Sequence, residues 1–128
     1  MSQRTALVVD DNPDIRTMMK DVLGLLGYSV RAVSNGVEAL NAVHEGFPDV
    51  VFLDLMMPVM DGFTTLAHLQ RTRELRRIPV VIMSALLDSD PTLRNFPGVA
   101  GLMPKASFSI PALKTLLEEI ASKQQLAA

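Results

Sequence analysis

Short, unbroken apolar runs alternate along this chain with longer segments that are apolar on one side only, and that alternation leaves few folds open. Residues 6–9 (ALVV), 50–53 (VVFL) and 80–83 (VVIM) are continuous, rich in valine and too short for helices. Runs of this kind read as strands buried on both faces, as in a parallel sheet with helices covering each side. Residues 28–33 and 99–103 are weaker strand candidates and belong nearer the sheet edges. Between the strands the apolar residues return at helical spacing. Asn12 caps a first helix with Pro13 at its first position; Ile15, Met18, Met19, Val22 and Leu26 form its stripe, and Gly27 stops it.

A second helix is expected over about residues 36–45 and a third over about 63–74. A last helix begins near Ser109 with Pro111 in its first turn, buries Leu113, Leu116, Leu117 and Ile120, and is expected to fray from Lys123 onward. The fourth helix, confined to about residues 90–95 by Pro91 and Pro97, is expected to be short and irregular. Five strands alternating with five helices give a right-handed, doubly wound α/β fold. With 128 residues and no linker, repeat or low-complexity stretch, one domain is expected.

Composition removes several function classes. The absence of cysteine excludes a disulfide framework, thiolate zinc sites and cysteine nucleophiles, and suits a reducing cytoplasm. A net charge of -2 gives no global attraction to nucleic acid or anionic lipid. No apolar run approaches the roughly 20 residues that span a bilayer, and the N-terminus turns acidic after one short run, unlike a signal peptide. A cytoplasmic location without membrane insertion is the expectation.

What ends each strand is the most informative feature. The first run stops at Asp10-Asp11, the third at Asp54 and the fourth at Ser84, while the fifth leads into Lys105. In an open parallel sheet all carboxyl ends share one edge, where ligands bind. Two carboxylates about 4 Å apart repel by about 4 kcal/mol at an effective dielectric of 20, so such a cluster keeps a proton or recruits a cation. All-oxygen ligation suits Mg²⁺, which takes one or two carboxylates plus phosphate oxygens and water. An aspartate carboxylate can then serve as nucleophile toward a phosphoryl group. Lys105 can hold one phosphate oxygen, the Ser84 hydroxyl another, and backbone N–H groups after Asp54 and around Ala85 can complete the cradle.

These residues resemble the receiver family of two-component signalling over about residues 5–122. Asp10-Asp11 after the first strand, the stretch Asp54-Leu-Met-Met-Pro-Val-Met-Asp-Gly62, Met83-Ser84-Ala85, and Lys105 at the expected distance all match that family in order. The resemblance implies a CheY-like (flavodoxin-like) fold with a five-stranded parallel sheet of order 2-1-3-4-5. It implies phosphorylation of Asp54, and ligation of Mg²⁺, with Mn²⁺ as substitute, by Asp11, Asp54 and the Met56 carbonyl, with Asp10 helping through water or directly. It further implies a switch that catalyses its own Mg²⁺-dependent phosphotransfer and autodephosphorylation. The implied partners are a sensor histidine kinase or phosphotransfer protein, a downstream protein target, and a second copy in a phosphorylation-linked homodimer; nucleic acid is not among them.

Two positions depart from the family pattern. Leu102 stands three residues before Lys105, where an aromatic ring is usual, and Lys105 is followed by Ala106 rather than proline. A cis bond at Lys105-Ala106 would cost roughly 2.5–4 kcal/mol more than trans, so none is assumed. Other residues have plainer readings. Asp14 is a first-turn charge, Asp61-Gly62 a turn, and His44 and His68 solvent-exposed helix residues. Arg71, Arg73, Arg76 and Arg77 read as favourable charge at the end of the third helix, with an acidic partner as the alternative. Met56, Met57 and Met60 divide between core filling and an adaptable surface. Two other function classes compete. Constitutive docking on a receiver fold is favoured by Leu102 and the short fourth helix, and opposed by the complete acid, hydroxyl and lysine set. Flavin binding is opposed by the acidic segment 10–14, which would repel a flavin phosphate.

Overall fold

The computed structural model describes residues 3–84, 95–105 and 108–127. In chain order the elements are β1 (Arg4–Val9), α1 (Pro13–Leu25), β2 (Tyr28–Val33), α2 (Gly36–Glu45), β3 (Val50–Asp54), α3 (Gly62–Leu69), α4 (Arg73–Arg76), β4 (Val80–Ser84), β5 (Val99–Pro104) and α5 (Ile110–Ala127). The strands form one parallel sheet of order β2-β1-β3-β4-β5. The continuous apolar runs occupy its centre: every residue of β3 and β4 is buried, whereas the mixed runs β2 and β5 form the two edges. Burial on both faces of the sheet is what a continuous run requires, and it follows from the helices packed on each side.

The pleat sorts the core into two layers. Leu7, Val9, Val51, Leu53, Val80 and Ile82 face α2, α3 and α4, meeting Ala39, Val43, Leu66, Leu69 and Leu75. Ala6, Val8, Val50, Phe52, Val81 and Met83 face α1 and α5, meeting Met19, Leu23, Leu113, Leu117 and Ile120. Phe52 and Met19 are both fully buried, and each such side chain contributes roughly 1.5–3 kcal/mol relative to leaving it exposed.

The first helix starts as its sequence dictates, with the Asn12 side chain accepting from the N–H groups of Asp14 (2.8 Å) and Ile15 (3.4 Å) and Pro13 in the first turn. Gly27 then turns the chain at φ +94°. Leu23, absent from the expected stripe, is fully buried beside Met19. The expected third helix over residues 63–74 is two helices instead. Thr72 interrupts it by capping a new turn, its Oγ1 accepting from the Leu75 N–H at 3.1 Å, which seats Leu75 and Ile78 in the core. The expected fraying after Lys123 does not occur: α5 continues to Ala127. Lysine, glutamine, leucine and alanine all favour helix, and Gln124 Nε2 donates to the Asp49 carbonyl at 3.1 Å. Of the expected fourth helix, residues 90–94 lie outside the described residues.

The loop leaving β3 contains the one positive-φ residue other than glycine among those described, Val59 at φ 72°. A β-branched side chain in the left-handed region costs roughly 1–2 kcal/mol. Val59 is also 82% exposed, so no core packing offsets that strain. Val59→Asn, which tolerates this backbone, is expected to raise unfolding free energy by about 1 kcal/mol; a denaturant titration giving no gain would contradict a strained loop.

Candidate functional site

The strand register assembles this site. Val9 lies beside Leu53, so the next residues, Asp10 and Asp54, emerge side by side at the carboxyl edge of the two central strands. Ser84 ends β4 beside Pro104 of β5, and Lys105 follows at once. Asp10, Asp54 and Lys105 each stand two residues beyond Val8, Phe52 and Met103, all of which face the α1–α5 layer. The period of two therefore turns the three functional side chains toward the same side of the sheet.

Asp10 is 0% and Asp54 2% exposed. Lys105 Nζ stands 3.0 Å from Asp10 Oδ2 and 3.2 Å from Asp54 Oδ2, bridging the two acids. The contact to Asp54 is a hydrogen bond, whereas among the described residues Asp10 Oδ2 accepts no aligned hydrogen bond and meets Lys105 as an ion pair. The other oxygens are used locally. Asn12 N–H donates to Asp10 Oδ1 at 2.9 Å, and Met56 N–H donates to Asp54 Oδ1 at 3.3 Å. Arg16 secures the loop itself, its Nη1 donating to the Asp10 carbonyl at 2.7 Å. Gly62 caps the arrangement by allowing α3 to approach, since a Cβ there would overlap the Asp54 carbonyl oxygen.

The electrostatics follow from this crowding. Burial first, and the neighbouring Asp10 charge second, raise the Asp54 carboxyl above the usual carboxylate value, against the Met56 N–H and Lys105. Burial alone would lower the Lys105 ammonium, but its contacts with Asp10 and Asp54 outweigh that and raise it. One cation thus serves two buried acids.

Asp11, exposed at the rim, adds a third carboxylate: Asp10, Asp11 and Asp54 offer oxygens that all lie within 4.8 Å of one another. Ligand oxygens around an octahedral Mg²⁺ at 2.0–2.1 Å are separated by about 3.0 Å when adjacent and about 4.2 Å when opposite. The hard oxygen donors, their spacing and the poorly satisfied Asp10 Oδ2 fit such an ion. The structure thus gathers Asp10, Asp11, Asp54 and Lys105, and it buries Ser84 at the adjacent strand end. Met56 joins through its N–H, while its side chain is 66% exposed. Ala85, Leu86 and Ala106 lie outside the described residues.

Some neighbours have the plain roles expected of them, and others do not. Asp61 is the N-cap of α3, accepting from Thr64 N–H at 2.8 Å. His44 is exposed but His68 is half-buried on α3, a difference from its expected exposure. Leu102 packs, partly buried, against the α2–α3 layer. Sequence reasoning missed Arg16 and the close approach at Gly62. Neither shows in the local pattern, because each depends on where the loop folds back.

Comparison with known proteins places these residues in a wider set. The response regulator receiver domain family matches residues 6–105. A protein of Guillardia theta named as a probable transcriptional regulator, ycf27, is 37% identical over 87 residues, covering 68% of this chain and 33% of that protein. The sensor histidine kinase RcsC of Escherichia coli is 42% identical over 80 residues, covering 62% of this chain and 8% of that protein. The chain thus spans a third or less of these two relatives. The solved chemotaxis protein CheY4 of Vibrio cholerae shares the fold with a TM-score of 0.82 at 26% identity, over 93% of this chain and 99% of that one.

The raised Asp54 carboxyl has a consequence for stability. Because the folded protein keeps this proton to a higher pH than the unfolded chain does, the associated stability is complete below the ordinary carboxylate value. It is lost as pH rises through the raised value. At neutral pH and without divalent cations, Asp54→Asn is expected to stabilise the fold by about 1 kcal/mol, leaving Lys105 paired with Asp10. The gain should shrink as pH falls into the carboxylate range. Thermal melts in chelator showing the variant less stable at pH 7 would contradict this account.

Proposed function

The chain belongs to the response regulator receiver domain family, whose general function is phosphorylation-dependent signalling, and on that premise we propose that it is a Mg²⁺-dependent switch phosphorylated on Asp54. The observation that carries the reading is the shared lysine: two buried carboxylates at adjacent strand ends, both within ion-pair distance of one ammonium. The donor is a histidine kinase or phosphotransfer protein presenting phosphohistidine. A receiver segment within a sensor kinase such as RcsC is consistent with such a donor.

In the proposed reaction a carboxylate oxygen of Asp54 attacks phosphorus, an O–P bond forms, and the N–P bond to the donor imidazole breaks. Water later cleaves the acyl phosphate, returning the carboxylate and inorganic phosphate. Asp10, Asp11, Asp54 and the Met56 carbonyl would hold Mg²⁺, or Mn²⁺ in its place, and the bound ion would neutralise charge developing on the phosphoryl oxygens. Lys105, already 3.2 Å from Asp54 Oδ2, takes one phosphoryl oxygen, and the Ser84 hydroxyl takes another. Asp10 draws on Lys105 and keeps its ammonium protonated at the acceptor. The Met56 N–H, now on Asp54 Oδ1, holds the carboxylate in position for attack. Exclusion of water by the apolar strands strengthens each of these interactions.

The signal follows from the added charge. A phosphoryl dianion draws Lys105 and Ser84 toward it and shifts the loops after β3 and β4, changing the affinity for a downstream protein or for a second copy. Residues 1–128 act in this reading as one receiver unit with its core at about 5–122, located in the cytoplasm. No described helix is long and apolar enough to cross a membrane. Leu102 favours a second reading, constitutive docking, because an aliphatic side chain already packed on the α2–α3 layer has no ring to turn inward. Identical partner affinity with and without phosphorylation would support that reading over the switch.

Incubation of the full chain with Mg²⁺ and acetyl phosphate is expected to add one phosphoryl group, read as intact mass, and chelator should prevent it. An adduct that persists in Asp54→Asn would dismiss the assigned acceptor. The exposed, apolar Met56 borders the approach of water to that acceptor, so the phosphoryl group should be long-lived. Met56→Asn, which can hydrogen-bond a water, is expected to hasten phosphate release by about tenfold, or 1.4 kcal/mol of barrier. Equal release rates for variant and parent would remove Met56 from the account.

A further inference from the structure

The acceptor site explains none of the four arginines at residues 71, 73, 76 and 77, and only Arg71 stands at the end of the helix that precedes them. Had α3 run on to residue 74 as the sequence pattern suggests, they would have complemented the negative end of one long helix. The break at Thr72 leaves Arg71 beside the α3 cap and moves the other three onto or beside a separate, single turn, which sums few peptide dipoles. Arg73 and Arg76 belong to α4 and Arg77 is its C-cap. Arg73 sits at the start, where a cation opposes the helix dipole, and Arg76 and Arg77 at the end, where the dipole of one turn offsets them only in part.

Their arrangement carries a cost and offers a surface. Arg73 is related to Arg76 and Arg77 by spacings of three and four, so these guanidinium groups share one face and repel. All four arginines are exposed, and none makes an ion pair or side-chain hydrogen bond among the described residues. Glu74 is the one acid among residues 71–77. Beneath them the turn is firm: Arg76 N–H bonds the Thr72 carbonyl at 3.0 Å, Ile78 N–H bonds the Leu75 carbonyl at 3.1 Å, and Leu75 and Ile78 are buried. The turn leads into the amino end of β4, so it stands at the sheet edge opposite the acids that follow β1 and β3.

We infer that this arginine turn is a docking surface for an acidic segment of a partner protein, separate from the acceptor site and usable while that site is engaged. Arginine suits the role because its planar fork pairs carboxylates bidentately. The size of the patch favours a short ligand over a long polyanion. Four residues of helix span about 6 Å, and a nucleic acid extending past them would meet a chain of net charge -2. No aromatic side chain lies among residues 71–77 to stack a base, and their one large apolar residue, Leu75, is buried rather than offered to a bilayer.

The test is fluorescence anisotropy of a labelled oligoglutamate peptide titrated with the full chain at low and physiological salt. Binding that weakens with salt is expected, unchanged by Asp54→Asn. The quadruple variant Arg71→Gln, Arg73→Gln, Arg76→Gln, Arg77→Gln should lose affinity by at least about tenfold, with circular dichroism confirming the fold. Should that variant fail to fold, the double variant Arg73→Gln, Arg77→Gln is read the same way, with a loss of about threefold. Absence of peptide binding, equal binding by the variants, or tighter binding to a DNA duplex or to vesicles of anionic phospholipid than to the peptide would overturn the proposal.

Discussion

Two like charges forced together out of water are the constraint from which the rest of this structure follows. Asp10 and Asp54 are almost wholly buried at the ends of adjacent central strands, and Lys105 alone among the described cations stands between them. Taking a carboxylate into a protein interior costs several kcal/mol unless it is paired and hydrogen-bonded. The chain meets that cost by local means. Backbone N–H groups of Asn12 and Met56 serve one oxygen of each acid, Arg16 ties down the loop that carries Asp10, and the missing side chain at Gly62 lets α3 close over Asp54. What is left over is a net negative charge with an oxygen, Asp10 Oδ2, that accepts no aligned hydrogen bond among the described residues.

That residue of charge is what couples the fold to its chemistry. A site fully neutralised by its own side chains would leave no charge for a further cation to offset. Here the apolar strands that stabilise the sheet also lower the local dielectric, strengthening both the repulsion and the response to any added cation or anion. A ligand that binds only the folded state adds its binding free energy to the stability of the fold. Occupancy of the acidic site is therefore linked to the order of the loops around it.

The sheet was legible in the sequence because burial on two faces writes itself as an unbroken apolar run. Val50 to Leu53 and Val80 to Met83 announced the central strands, and the interrupted runs at Tyr28 and Val99 announced the edges. The acids and the lysine were legible for the same reason: a charge that ends an apolar strand must sit at the sheet edge. The break in the third helix was not, since a threonine in a helical stretch is ordinary and becomes a cap only when Leu75 and Ile78 have a core to enter. The tail of α5 was misjudged because composition alone cannot show that Gln124 reaches the Asp49 carbonyl. Arg16 escaped notice because its partner is a backbone atom, which no side-chain pattern records.

The same tertiary override sets the charge environment of the basic turn. Charge along a continuous helix is partly offset by the helix dipole, so arginines at the end of a long α3 would have needed no further account. Once Thr72 divides the helix, Arg71 keeps the offset of α3, Arg76 and Arg77 have only that of a single turn, and Arg73 opposes it. These last three crowd one turn with like-charge pairs that each cost roughly 0.2–0.5 kcal/mol. The burial of Leu75 and Ile78 is large enough to carry that cost. Packing thus explains how the turn tolerates its charge. It does not explain the choice of arginine at four exposed positions where uncharged residues would cost less, and recognition of carboxylates supplies a reason that packing lacks.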